Sequence, residues 1–123
     1  MEYLYVGIGG VFGAMARYGL SKWVGRRWKG GFPLATFCIN ITGSFILGLL
    51  IIVFSKAGSD LAFLKNLTTV GFLGAYTTYS TFTYEIVTLV EAGETGIAVK
   101  YLLASVSVGL IAAFLGMTLA EYL

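Results

Sequence analysis

The stretch GFLGAYTTYSTFTYE, residues 71–85, decides how this chain can fold. Within it, TTYSTFTY (77–84) carries hydroxyl groups on seven of eight side chains and no charge, in the apolar middle of the chain. An unpaired polar group in a membrane costs free energy, so these hydroxyl groups need partners. Gly71 and Gly74 precede Thr77 and Thr78, and glycine and β-branched residues are weak helix formers. We therefore predict a helix that breaks here and presents polar side chains.

The composition is typical of a membrane protein. Hydrophobic residues make up 58% of the 123 residues and charged residues 11%, less than half the usual share. Seventeen glycines favour close contacts between helices. Histidine, the usual general base, is absent, so we do not expect an enzyme. The single cysteine, Cys38, lies in an apolar segment and is interpreted as a small buried hydrophobic residue.

The hydropathy pattern predicts an all-α membrane protein with one four-helix domain covering residues 1–123. The expected spans are about 4–24, 33–54, 61–90 and 99–120. The third span has thirty residues, which at about 1.5 Å each is far longer than the roughly 30 Å of hydrocarbon. We expect it to be broken near the middle of the membrane, at Gly71–Thr78.

The basic residues bear on orientation and assembly. A bundle of four helices encloses little space, so a homo-oligomer, most simply a two-fold dimer, is expected. The positive-inside rule favours termini outside, because more basic residues lie on the loop side opposite the termini. These are Lys22, Arg26, Arg27, Lys29 and Lys100, against Lys56 and Lys65 on the terminal side.

Polar residues recur every fourth position in two spans. Thr36, Asn40 and Ser44 share one helical stripe in the second span. Such a stripe either bonds neighbouring helices or lines a pathway, and the Asn40 amide can donate to an anion. Tyr101 and Ser105 begin a matching stripe in the fourth span, interpreted as packing when taken alone.

Two charged residues stand inside predicted spans. Arg17 follows Gly9 and Gly13 on one face of the first span and either reaches the interface or attracts anions at a pore mouth. Glu85 is either a carboxylate that binds cations or protons, or a structural or gating group in an anion pathway.

The helix break itself predicts ion binding. Freed carbonyl groups can be satisfied by a cation, and because GAYTTYS contains no carboxylate, a monovalent ion such as sodium is favoured. Beyond the break, the hydroxyl groups of Ser80 and Thr81 and the ring edges of Tyr79 and Phe82 favour an anion. The alternative is an aromatic packing stripe that also includes Tyr76.

Three motifs resemble the Fluc fluoride channels, small bacterial membrane proteins that export toxic fluoride. They are GAMARY (13–18), ATFCINITGSFILG (35–48) and GFLGAYTTYSTFTYE (71–85). The resemblance implies an antiparallel, dual-topology homodimer in the bacterial inner membrane, with two pores that conduct fluoride passively. It also implies a structural sodium ion at the dimer axis, held by the backbone carbonyl groups of Gly74 and Thr77 from both subunits.

The resemblance assigns roles to individual side chains. Arg17 and Glu85 would be the charged positions of the vestibule or gate. Two departures from the family pattern are Tyr79, which replaces a phenylalanine, and Gly109, which stands where a hydroxyl group is common. The implied pore residues are Asn40, Tyr79, Phe82, Ser80, Thr81, Thr36, Tyr101 and Ser105.

Two other functions compete with this one. A small four-span cation or multidrug exporter needs a carboxylate inside its first span, but here that span carries Arg17 and no acid after Glu2. A non-transporting membrane assembly subunit would use the polar stripes to bond its helices together. In that case, an apolar replacement of Asn40 would impair folding rather than ion flux.

Overall fold

The computed structural model describes residues 2–123, without the side chains of Glu2 and Ser59. The described chain is helical and contains no strand. Its elements are α1 (Glu2–Arg27), α2 (Leu34–Ala57), a 3₁₀ turn (Ser59–Leu61), α3 (Ala62–Lys65), a π-helix (Asn66–Leu73), α4 (Gly74–Tyr76), α5 (Tyr79–Glu91) and α6 (Thr95–Glu121).

Helices α2 and α6 are long and apolar enough to cross a bilayer. They have 24 and 27 residues, so each exceeds the roughly 20 residues that a membrane span requires. Within residues 2–123 no other helix meets the same criteria of length and apolar character. The count of four spans therefore stays a prediction.

Glycine residues bring α2 and α6 into direct backbone contact. A methyl group on Gly48 would overlap the Ala113 carbonyl oxygen, and one on Gly116 would overlap the Phe45 carbonyl oxygen. Small residues permit this approach, which replaces the hydrophobic drive that helices lack in lipid.

Helix α1 packs in the same way against the π-helix. A methyl group on Gly9 would overlap the Leu67 carbonyl oxygen, and one on Gly13 would overlap the Phe72 carbonyl oxygen. The face that carries Gly9 and Gly13 is thus a helix contact. Arg17, one turn further along, is half-buried.

The chain leaves helical geometry between α4 and α5. Thr77 (φ −77°, ψ 158°) and Thr78 (φ −147°, ψ 120°) are extended, and α5 then begins at Tyr79. These two residues change the helical phase, so the aromatic stripe expected to include Tyr76 does not form. Tyr76 is buried, stacks on the Phe72 ring at 5.8 Å and shares a 2.8 Å hydrogen bond with the Thr42 hydroxyl group.

Candidate functional site

A groove of about 450 Å³ lies beside the break, between α2, α5 and α6. It brings together six residues singled out in the sequence: Asn40, Gly74, Thr77, Tyr79, Phe82 and Ser105. The groove thus combines an amide, a hydroxyl group, two aromatic rings and two residues of the broken backbone. The remaining lining residues are Gly43, Ser44, Leu47, Thr69, Leu73, Thr78 and Val106.

The Asn40 side chain pairs with the extended backbone of Thr78. Its Oδ1 accepts the Thr78 N–H at 3.0 Å, and its Nδ2 donates to the Thr78 carbonyl oxygen at 3.2 Å. Asn40 is half-buried and lines the groove. A primary amide carries two N–H donors, so one hydrogen of Nδ2 is still available for an anion in the groove.

The hydroxyl groups of the break are used by the local backbone. Thr77 donates its Oγ1 hydrogen to the Leu73 carbonyl oxygen at 2.9 Å, at the end of α4. Thr78 is the N-cap of α5, where its Oγ1 accepts the Thr81 N–H at 3.2 Å. These two of the seven hydroxyl groups in residues 77–84 therefore define the ends of the flanking helices.

Two aromatic rings stand at the start of α5. The ring centroids of Tyr79 and Phe82 are 6.4 Å apart with an angle of 42° between the ring planes. Tyr79 is 81% exposed in the single chain, whereas Phe82 packs edge-on against the Tyr101 ring at 5.0 Å. Their edges can offer weakly positive C–H groups to an anion in the groove.

Ser105 contributes a hydroxyl group with no other use. Its Oγ is buried and has no hydrogen-bond partner among the described residues. Buried polar atoms normally have a partner, so an unpaired one in a groove indicates a place for a ligand or water. Next to it, a Cβ on Gly109 would lie 3.7 Å from the Ser44 Oγ, so the missing hydroxyl group of Gly109 has a near neighbour in Ser44.

A second polar cluster adjoins the groove through Phe82. Tyr101 is fully buried and donates its hydroxyl hydrogen to Glu85 Oε1 at 3.0 Å. Thr36, also buried, neighbours the same hydroxyl group. Thr36, Tyr101 and Glu85 thus meet one another but do not line the groove itself.

Three predicted site residues are not brought to the groove in the single chain. Ser80 and Thr81 are exposed on the first turn of α5, rotated away from Tyr79 and Phe82. Arg17 lies on α1, outside the groove lining. The roles of these three side chains in ion conduction stay predictions.

Thr78 is the functional residue whose role the sequence analysis missed. We had interpreted it only as part of a weakly helical segment. A threonine just before a helix and three residues before Thr81 is, however, a typical N-cap pattern. That pattern alone could have assigned the cap, although it could not have revealed the contact with Asn40.

The helical architecture, the apolar helices and the polar groove define a small helical membrane protein. A family model described as CrcB-like protein, Camphor Resistance (CrcB), matches residues 4–117. The chain therefore belongs to the CrcB family, which is the Fluc family that the three motifs resemble. The predicted family membership is confirmed.

Characterised names come from relatives that align over nearly the whole chain. The fluoride-specific ion channel FluC 2 of Moorella thermoacetica is 47% identical, covering 94% of this chain and 93% of the relative. FluC 2 of Geobacillus kaustophilus is 45% identical, covering 98% and 94%. FluC of Acidobacterium capsulatum is 43% identical, covering 98% and 97%. These names describe ion channels rather than enzymes, in agreement with the non-enzyme prediction.

Proposed function

We propose that this chain forms a fluoride-selective passive channel that exports toxic fluoride across the bacterial cell membrane. The observation that carries the proposal is the groove at the break, where the Asn40 amide, the unpaired Ser105 hydroxyl group and two aromatic edges converge. The names of the relatives support the choice of fluoride.

The chemistry of the groove suits a small, strongly hydrated anion. Such an ion must exchange its water for hydrogen-bond donors as it enters a narrow pore, and uncharged donors hold it weakly enough that it can leave. Asn40, Ser105, Tyr79 and Phe82 supply donors of this kind. Thr36, Tyr101, Ser80 and Thr81 extend the path, with Arg17 and Glu85 as its charged positions.

The proposed assembly is an antiparallel, dual-topology homodimer with two pores. In a single chain the groove is open on one side and Tyr79 is largely exposed, so a second copy would complete its wall. This arrangement supports the proposal of two pores, since a two-fold axis repeats every site.

A sodium ion at the dimer axis is part of the same proposal. The donors would be the carbonyl oxygens of Gly74 and Thr77, and uncharged oxygen ligands fit a small monovalent cation. Gly74 is exposed, with only open space around the position of a Cβ, so a second chain can approach it closely. Bound sodium would supply a fixed positive charge beside the anion path.

The proposal is tested by ion efflux from liposomes that contain the purified protein. We expect rapid fluoride release and negligible chloride release at matched gradients, each followed with an ion-selective electrode. Phe82→Leu removes an aromatic edge and should slow fluoride release by about tenfold or more. Phe114→Leu is the matched control, because Phe114 is 67% exposed on α6 and lies outside the groove.

Absence of fluoride release from a folded protein would contradict the channel function. It would favour an assembly subunit, in which the polar contacts only join helices. Release that depends on a proton or cation gradient would favour an exporter instead.

A further inference from the structure

Two carbonyl groups at the break have lost the donors that a continuous helix provides. In an α-helix the Gly74 carbonyl oxygen would accept the Thr78 N–H, and the Thr77 carbonyl oxygen would accept the Thr81 N–H. Here the Thr78 N–H donates to Asn40 Oδ1 at 3.0 Å. The Thr81 N–H donates to Thr78 Oγ1 at 3.2 Å. Each donor is thus diverted by a side chain.

We propose that Asn40 and Thr78 are positioning residues that keep the carbonyl oxygens of Gly74 and Thr77 free for a bound cation. This inference rests on the proposed function, which assigns those two carbonyl groups to sodium. It adds that the cation site depends on side chains that do not themselves contact the ion.

Asparagine is well suited to the first position. Its amide offers one acceptor and two donors on a short side chain, so it can engage the N–H and the C=O of the same extended residue. Leucine at position 40 has a similar shape and neither function. Without Asn40 the Thr78 N–H would have the Gly74 carbonyl group as its natural partner, and α4 would extend toward the break.

Threonine at position 78 acts through its hydroxyl oxygen. The extended backbone of Thr78 (φ −147°, ψ 120°) is the usual geometry of an N-cap, whose side-chain oxygen accepts an N–H of the first turn. Valine has nearly the same shape but no acceptor, so the Thr81 N–H would turn to the Thr77 carbonyl group. Serine keeps the acceptor and should preserve the site.

The arrangement gives Asn40 two separable tasks. One hydrogen of its Nδ2 is free for fluoride, whereas its Oδ1 is committed to the backbone of the break. Thr78 has only the backbone task. A change at Thr78 therefore tests the cation site without removing an amide donor from the anion path.

The experiment is a sodium titration of thermal unfolding. Purified protein in detergent is melted at constant ionic strength while sodium chloride replaces N-methyl-D-glucamine chloride. The variants are Asn40→Leu, Thr78→Val, Thr78→Ser and Thr88→Val. Thr88 is the matched control, because its exposed hydroxyl group bonds the Tyr84 carbonyl oxygen in α5, away from the break.

We expect sodium to raise the melting temperature of the wild type, Thr78→Ser and Thr88→Val over the same concentration range. Asn40→Leu and Thr78→Val should need on the order of tenfold more sodium for the same rise, as expected when one net hydrogen bond is removed. A purely structural role would lower the melting temperature equally in both salts and leave the titration midpoint unchanged.

Wild-type midpoints in both Asn40→Leu and Thr78→Val would overturn the inference and leave the sodium proposal intact. If Asn40→Leu does not fold, the comparison of Thr78→Val with Thr78→Ser decides. A wild type that does not respond to sodium would overturn both the sodium site and this inference. Fluoride efflux, measured separately in liposomes, tests the channel function in each case.

Discussion

Tyr101 connects the groove to the charged end of the site. Its ring lies 5.0 Å from the Phe82 ring and 5.3 Å from the Phe32 ring, and its hydroxyl group donates to Glu85 at 3.0 Å. Because Tyr101 is fully buried, its hydroxyl group requires a partner. The position of the Phe82 ring therefore depends on a hydrogen bond made on the far side of Tyr101.

This bond leads to a prediction for Tyr101→Phe. The ring contacts survive, but the half-buried Glu85 carboxyl group loses its donor, so we expect a loss of about 1.5–3 kcal/mol in unfolding free energy. Glu85→Gln should cost less, since an amide can still pair with the phenol. The measurement is reversible unfolding in mixed detergent micelles, with Tyr122→Phe as control, because Tyr122 is 85% exposed.

A double-mutant cycle shows whether the effect belongs to the pair. Coupling of about 1 kcal/mol or more between Tyr101→Phe and Glu85→Gln is expected for groups in contact. Strictly additive losses would mean that the hydrogen bond contributes nothing to stability.

At the scale of helices, glycine positions decide which contacts are possible. Gly48 and Gly116 sit where α2 and α6 touch backbone to backbone, whereas Gly109 on the same helix as Gly116 faces only ordinary contacts at 3.7 Å. The three glycines therefore look alike in the sequence and differ in the structure.

Alanine substitutions separate these glycines. Gly48→Ala and Gly116→Ala should each destabilise the protein by about 1–3 kcal/mol, because the added methyl group forces the helices apart. Gly109→Ala should be neutral, or stabilising by up to about 1 kcal/mol, since alanine is the better helix former. Equal effects of all three in the same unfolding assay would contradict the close packing of α2 against α6.

At the scale of the whole molecule, much of the surface is apolar. Large side chains such as Phe12, Met15, Leu110 and Phe114 are 59–68% exposed. An apolar groove of about 620 Å³ also runs between α2 and α6, lined by residues that include Phe45 and Ile111. Surfaces of this extent require lipid or a second chain to cover them, as expected for a membrane protein.

Dual topology is testable at this scale. In a Cys38→Ser background, Gly31→Cys places a single thiol in the exposed loop between α1 and α2 without changing the charge of the loop. In intact cells with a permeable outer membrane, an impermeant maleimide should label about half of the chains, because an antiparallel two-fold dimer presents this loop on both sides. Labelling of nearly all or nearly none would show one fixed orientation, as the excess of basic residues in that loop favours.

The sequence by itself determined the class and the family of this protein. Apolar composition and long hydropathic runs favour membrane helices whatever their partners, and the three motifs resemble the Fluc family, to which the chain belongs. Weak helix formers at Gly74, Thr77 and Thr78 are a local signal, and the extended backbone lies within that segment. Local preference and composition are properties that a linear pattern can carry.

Only the tertiary structure decided which groups are paired and which are free. Asn40 and Thr78 are 38 residues apart, and the closeness of their helices made one side chain the partner of the other's backbone. The two extended residues at the break turned Tyr76 into the core and left Tyr79 in the groove. The physical reason is that a hydrogen bond depends on distance and direction across neighbouring helices, which spacing along one helix does not specify.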